Sequence, residues 1–150
     1  MTGMDKQTAT VLLVDDHPLM RKGLRALLEN EHGIIIAGEA ADGVEAVEQA
    51  RLLTPDVIIM DITMPRLNGI EATRRILSEL PESRIIALSI HSEKRFVEEM
   101  LHAGAAGYLL KDSVPEELVR AIHAVQRGEA FLSAAITSTV IESYRVEFEG

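Results

Sequence analysis

Two hydrophobic periods take turns along this chain. Short runs of β-branched and aliphatic residues occupy positions 10–14 (TVLLV), 33–37 (GIIIA), 57–60 (VIIM), 84–88 (RIIAL) and 107–110 (GYLL). Each is followed by a segment whose apolar residues recur every three or four positions. These are Met20, Leu24, Leu27 and Leu28; Ala46, Val47, Ala50 and Leu53; Ile70, Thr73, Ile76, Leu77 and Leu80; Phe96, Val97, Met100 and Leu101; and Leu118, Ile122 and Val125. The first kind reads as buried strand and the second as amphipathic helix. Pro55 and Pro81 stop the second and third helices, and Gly104 and Gly128 the fourth and fifth. Ser113, with Glu116 three residues later, predicts a capping box at the start of the fifth helix. Five β-α units in strict alternation, with strands apolar on both faces, predict an α/β fold: a doubly wound parallel sheet between two layers of helices. Beyond Gly128, the residues Ile136, Val140, Ile141 and Tyr144 predict one more helix, while the terminal RVEFEG lacks a packing pattern and reads as a frayed end.

Composition removes several function classes. At 150 residues the chain fits one domain with a short appendage. It has no cysteine, which excludes disulfides, zinc-thiolate sites and cysteine nucleophiles. The formal net charge is −9, and no Lys/Arg cluster offsets it, so nucleic-acid binding by these residues is not expected. No apolar run is long enough to span a bilayer. The N-terminus, MTGMDKQTAT, lacks a basic region followed by an apolar one, so the expected location is cytoplasmic, away from the membrane.

The chemistry sits where the strands end. Asp15 and Asp16 follow strand 1, Asp61 follows strand 3, Ser89 strand 4 and Lys111 strand 5. Ligands of open parallel sheets bind at the carboxyl ends of the strands, where strand order reverses. With order 2-1-3-4-5, strands 1 and 3 are neighbours there, and the three aspartates converge on one pocket. Two unit charges 4 Å apart repel by ~4 kcal/mol at an effective dielectric of 20. Lys111 offsets one of the three negative charges, and a hard dication such as Mg²⁺ (or Mn²⁺) is the natural complement for the rest. Taken singly, each residue has a plainer reading: Asp16 as a helix cap, Lys111 as a solvated lysine, Ser89 as a turn residue. It is their common position at strand ends that points to a Mg²⁺ and phosphoryl site.

The segments LLVDDHPLMRKGL, DVIIMDITMPRLNGIEATRRI, IIALSIHSE and AGAAGYLLKDSVPEELVRAIHAVQRGE resemble the receiver domain of bacterial two-component response regulators of the NarL/FixJ type, the LuxR family. The likeness runs from about Val11 to Leu132. It implies the flavodoxin-like (CheY-like) (βα)5 fold, a receiver over residues 8–128 and a linker helix or tail over 129–150. Regulators of this kind carry a C-terminal helix-turn-helix, so the expected partner DNA would be reached only through a domain outside this chain. The resemblance makes Asp61 the phosphoacceptor for a sensor histidine kinase. Asp16 would bind the metal directly, Asp15 largely through water, and Thr63 through its backbone carbonyl. Lys111 would pair with phosphoryl oxygens. Ser89 would bond the phosphoryl group after transfer, and Tyr108 would switch between exposed and buried rotamers. A phosphorylation-dependent homodimer is expected through helices 1 and 5, or through helix 4, strand 5 and helix 5. The expected role is a phosphorylation-controlled regulator, with transcription as its output.

Some positions depart from the common pattern. Asp112 stands after Lys111 where many receivers have a cis-proline. Ile90 stands after Ser89 where many have a smaller residue, and its branched side chain would narrow access to Asp61. His17 and His91 read as rim residues of the site and not as ligands, because the five histidines show no metal-ligand spacing. The competing function is a Mg²⁺-dependent phosphohydrolase with an Asp nucleophile. Such enzymes carry a second Asp two residues after the nucleophile, and here that residue is Thr63. A flavin carrier is a further alternative, but Asp15 and Asp16 stand where its phosphate loop would lie and would repel the phosphate.

Overall fold

The structure is a computed structural model and describes residues 8–149. Strands β1 (Ala9–Val14), β2 (Ile34–Ala40), β3 (Val57–Asp61), β4 (Arg84–Ser89) and β5 (Gly107–Leu110) alternate with helices α1 (Pro18–Leu28), α2 (Gly43–Leu53), α3 (Gly69–Glu79), α4 (Lys94–His102) and α5 (Val114–Gln126). A sixth strand, β6 (Phe131–Leu132), and a last helix, α6 (Ala134–Glu149), follow. The sheet order is β2-β1-β3-β4-β5-β6, and every pairing is parallel.

The expected order over the first five strands is thus observed, with one addition. The two-residue β6 lies in a segment whose pattern predicts only helix. Two residues cannot display a period, and Phe131 and Leu132 join the sheet because β5 leaves an edge open. The Phe131 amide donates to the Ala106 carbonyl at 3.2 Å, and the Ser133 amide to the Tyr108 carbonyl at 3.1 Å. A second correction concerns the tail: 145–149 continue α6 rather than fraying.

The strands alternate their side chains between two cores, as pleating demands. Leu12, Val14, Ile58, Met60, Ile85 and Tyr108 face α2, α3, α4 and α6, while Val11, Leu13, Val57, Ile59 and Leu88 face α1 and α5. The register of β1 on β2 slips by one residue between Val11 and Leu12, and this lets β2 run on to Ala40, three residues past the predicted end. The predicted capping box at α5 does not form. Ser113 ends a 3-10 turn (Lys111–Ser113) with φ −95° and ψ −2°, and its side chain makes no cap bond. A side-chain cap needs extended backbone at that residue, and the turn denies it. No cis peptide bond occurs among the described residues, so Lys111–Asp112 is trans.

Candidate phosphoryl and metal site

The loops that carry the polar residues are pinned from below. After β1, Arg21 on α1 donates to the Asp15 carbonyl and, through Nε, to Glu39 Oε1 at 3.0 Å, while Arg25 Nε reaches Glu39 Oε2 at 2.7 Å. Pro18 opens α1 with φ already suited to helix. After β3, the chain must turn tightly back onto α3. A Cβ on Gly69 would lie 2.0 Å from the Asp61 carbonyl oxygen, so only glycine allows that approach. Arg66, at φ 66°, donates to Asp42 Oδ2 at 2.8 Å, and Asn68 caps α3 by accepting from the Glu71 amide at 2.9 Å. Neither Arg21, Glu39, Asp42 nor Arg66 stands out in the sequence, because ordinary surface ion pairs have the same composition.

Asp15, Asp16 and Asp61 meet at the carboxyl end of β1 and β3. Asp15 is 0% and Asp61 4% exposed. Lys111 Nζ lies 3.2 Å from Asp15 Oδ2 and 3.6 Å from Asp61 Oδ2. One ammonium is therefore divided between two buried carboxylates. Asp15 Oδ2, Asp16 Oδ1 and Asp61 Oδ2 are buried, yet none accepts a well-formed hydrogen bond. Burial, reinforced by the charges of Asp15 and Asp16, pushes the Asp61 carboxyl up to about 7, against the pull of Lys111 and the Thr63 amide. Oxygen atoms of this kind are the hard donors a divalent cation takes, and their lack of partners is what such an ion would remedy.

The other predicted residues sit around this centre. Thr63 lies exposed in the loop after β3. Ser89, buried at the end of β4, accepts from the His91 amide at 2.9 Å, and the His91 carbonyl accepts from Tyr108 Oη at 2.8 Å. The backbone of one residue thus joins Ser89 to Tyr108, whose ring is fully buried. The His91 ring stacks on Phe96 with centroids 4.3 Å apart, and its Nδ1 is 3.2 Å from Glu93. Ile90 projects into solvent. His17 is more intimately placed than a rim residue needs to be. Its Nδ1 lies 3.1 Å from both Asp15 Oδ1 and Asp16 Oδ1, and its amide donates to Asp15 Oδ1 at 2.8 Å. Ligand-competent atoms of Asp15, Asp16, His17 and Asp61 all fall within 4.8 Å of one another.

This arrangement coincides with a match to a family model described as a response regulator receiver domain, over residues 11–123. The chain belongs to the response regulator receiver domain family. The receiver is similar to the uncharacterized transcriptional regulatory protein YxjL of Bacillus subtilis, 42% identical over 96% of this chain and 66% of that protein. It is 38% identical to the nitrate/nitrite response regulator protein NarL of Escherichia coli, over 94% of this chain and 65% of NarL. Among solved structures, a LuxR-family two-component response regulator from Aurantimonas sp. superposes with a TM-score of 0.87 at 42% identity, covering 91% of this chain and 98% of that one. This receiver is thus related to regulators of the NarL/LuxR type, and it spans slightly less than two thirds of the two curated relatives named. The phosphohydrolase alternative finds no support among these relatives.

Proposed function

We propose that this receiver accepts a phosphoryl group from a sensor histidine kinase on Asp61 and relays its arrival through Ser89 and Tyr108. The observation that carries the reading is the meeting of three carboxylates from β1 and β3 around one lysine, with buried oxygens left unpartnered. Asp15 and Asp16, with Asp61 and the Thr63 carbonyl, are the residues that would hold Mg²⁺ or Mn²⁺. When bound, the cation supplies charge neutralisation at the phosphoryl oxygens.

The chain's own residues do the rest. An Asp61 carboxylate oxygen attacks phosphorus, the P–N bond to the kinase histidine breaks, and the departing imidazole nitrogen keeps the electron pair and takes a proton. Attack needs the ionised carboxylate, whose share near neutral pH the raised pKa reduces until positive charge is brought close. Lys111, already within reach of Asp61, holds an oxygen of the transferred group. The product adds charge and three acceptor oxygens. Ser89 Oγ, which now accepts from His91, has a hydroxyl hydrogen to donate to one of those oxygens. Moving Ser89 disturbs the His91 amide, and through the His91 carbonyl the disturbance reaches Tyr108. A contact that exists in only one of two states is what shifts their balance.

The receiver unit proposed spans 8–128, with 129–150 as linker. Its setting is the cytoplasm, and its output is transcription through a DNA-binding domain outside this chain. No described helix is long and apolar enough to cross a membrane. Because β6 covers the β5 edge and α6 packs against α4 and β5, the face of α1 and α5 is the one we assign to a phosphorylation-dependent homodimer. The test is incubation with a small phosphodonor and Mg²⁺, read by intact mass. A single phosphoryl adduct that disappears in Asp61→Ala is expected. Repeated turnover of phosphoester, or an adduct that survives that substitution, overturns the reading.

A further inference from the structure

We propose that His17 is a nitrogen ligand of the cation site, so that the site selects later first-row transition dications such as Co²⁺ over Mg²⁺. The proposal rests on the reading that Asp15, Asp16 and Asp61 hold a dication.

The local backbone explains how an exposed residue reaches a buried cluster. His17 occupies the N-cap of α1 with extended φ −100° and ψ 111°, but its side chain caps nothing. Its own amide is taken by Asp15 Oδ1, which closes a tight turn and folds the ring back over the two aspartates. Nδ1 then lies 3.1 Å from an oxygen of each. Donors at about 2.1 Å from one ion and at right angles to each other stand about 3.0 Å apart, so these separations would suit ligands of one shared cation. Asp15 Oδ2 and Asp61 Oδ2 are buried and accept no hydrogen bond, with only the shared Lys111 ammonium beside them, an observation independent of the imidazole that itself calls for a cation. As a ligand the imidazole would offer the Nδ1 lone pair and carry its hydrogen on Nε2.

An all-oxygen site suits Mg²⁺, whereas an imidazole nitrogen favours the later first-row ions, whose affinities rise along the series from Mn²⁺ to Cu²⁺. His17 is thereby a determinant of metal choice.

The experiment titrates the full chain with Co²⁺ and with Mg²⁺ by calorimetry, and follows the Co²⁺-loaded protein by proton NMR. The expected result is a set of strongly shifted imidazole resonances, displaced by excess Mg²⁺ and absent in His17→Asn. The ratio of Co²⁺ to Mg²⁺ affinity should fall at least tenfold in that variant. An unchanged ratio, or shifted imidazole signals that persist in His17→Asn, overturns the proposal. Asp16→Asn and Asp61→Asn serve as the separate control. If both leave Mg²⁺ binding intact, it is the carboxylate site that fails. If they abolish it while His17→Asn leaves the ratio unchanged, only the nitrogen ligand fails.

Discussion

Two buried polar places lie on either side of β5, and they are built on opposite terms. At Ser133, between β6 and α6, every polar group finds a partner. Its amide donates to Tyr108, its Oγ accepts from the Leu110 amide at 3.3 Å and donates to Glu117 at 2.8 Å, and its carbonyl accepts from Ile136 and Thr137. At Asp61, equally withdrawn from water, the Oδ2 oxygen has only a share of Lys111 at 3.6 Å and two like charges nearby. A satisfied buried polar group rigidifies, whereas an unsatisfied one costs free energy that the remaining packing must offset. The first place is therefore a joint that fastens the C-terminal segment. The second stores an unmet demand for positive charge, and that demand is what a cation and a phosphoryl group can answer.

Substitutions should push the two places in opposite directions. Ile136→Ala removes a fully buried side chain from the joint side of the core and should lower stability by about 2–5 kcal/mol in urea titrations. A loss too small to measure would detach α6 from the cooperative unit and break the contrast.

Asp61→Asn should do the reverse in metal-free protein. With the folded carboxyl at about 7 against 3.8 in the reference state, the charged form costs up to about 4 kcal/mol at pH 8. Between those two values the folded state binds more protons than the unfolded one. Wild-type stability therefore falls as pH rises from about 4 to about 7, then levels off. The melting temperature of Asp61→Asn should exceed that of wild type most at pH 8, with the gap less than half as large at pH 5 and closed only below about pH 4. Saturating Mg²⁺ should narrow the gap at pH 8 by stabilising the wild type. A gap independent of pH would show that Asp61 is not held protonated by its surroundings.

Ser133→Ala should have the smallest effect, about 1–3 kcal/mol, because it strands the Leu110 amide and the Glu117 carboxylate of a well-satisfied joint. It should leave phosphorylation of Asp61 intact. Loss of phosphorylation in this variant would mean that the two places are not separable.

Much of the fold was legible because its signals are local. A run such as VIIM cannot be exposed, and a set such as Ile70, Thr73 and Ile76 matches one helical face. The alternation of the two leaves few topologies. The positions of Asp15, Asp16, Asp61, Ser89 and Lys111 at strand ends were equally readable. β6 was not, since two residues carry no period and pair only because β5 offers an edge. The failed capping box has a similar cause: the pairing of Ser113 with Glu116 is present, but the 3-10 turn before it fixes a backbone angle that the motif cannot use. The place of His17 was hidden too, because its nearness to the carboxylates comes from a turn closed by its own amide and not from any spacing of ligands.

By itself, the sequence determined which residues must be buried, their period, and the kinds of charge left at the ends of the strands. Those follow from the cost of exposing apolar surface, which each residue carries wherever the chain goes. Only the tertiary structure decided how that charge is shared: that one lysine divides itself between Asp15 and Asp61, that Asp61 is pushed toward neutrality, and that an imidazole leans over Asp15 and Asp16. Such properties depend on distances and on the exclusion of water between residues remote in the chain, and electrostatic energy has no value until those are set.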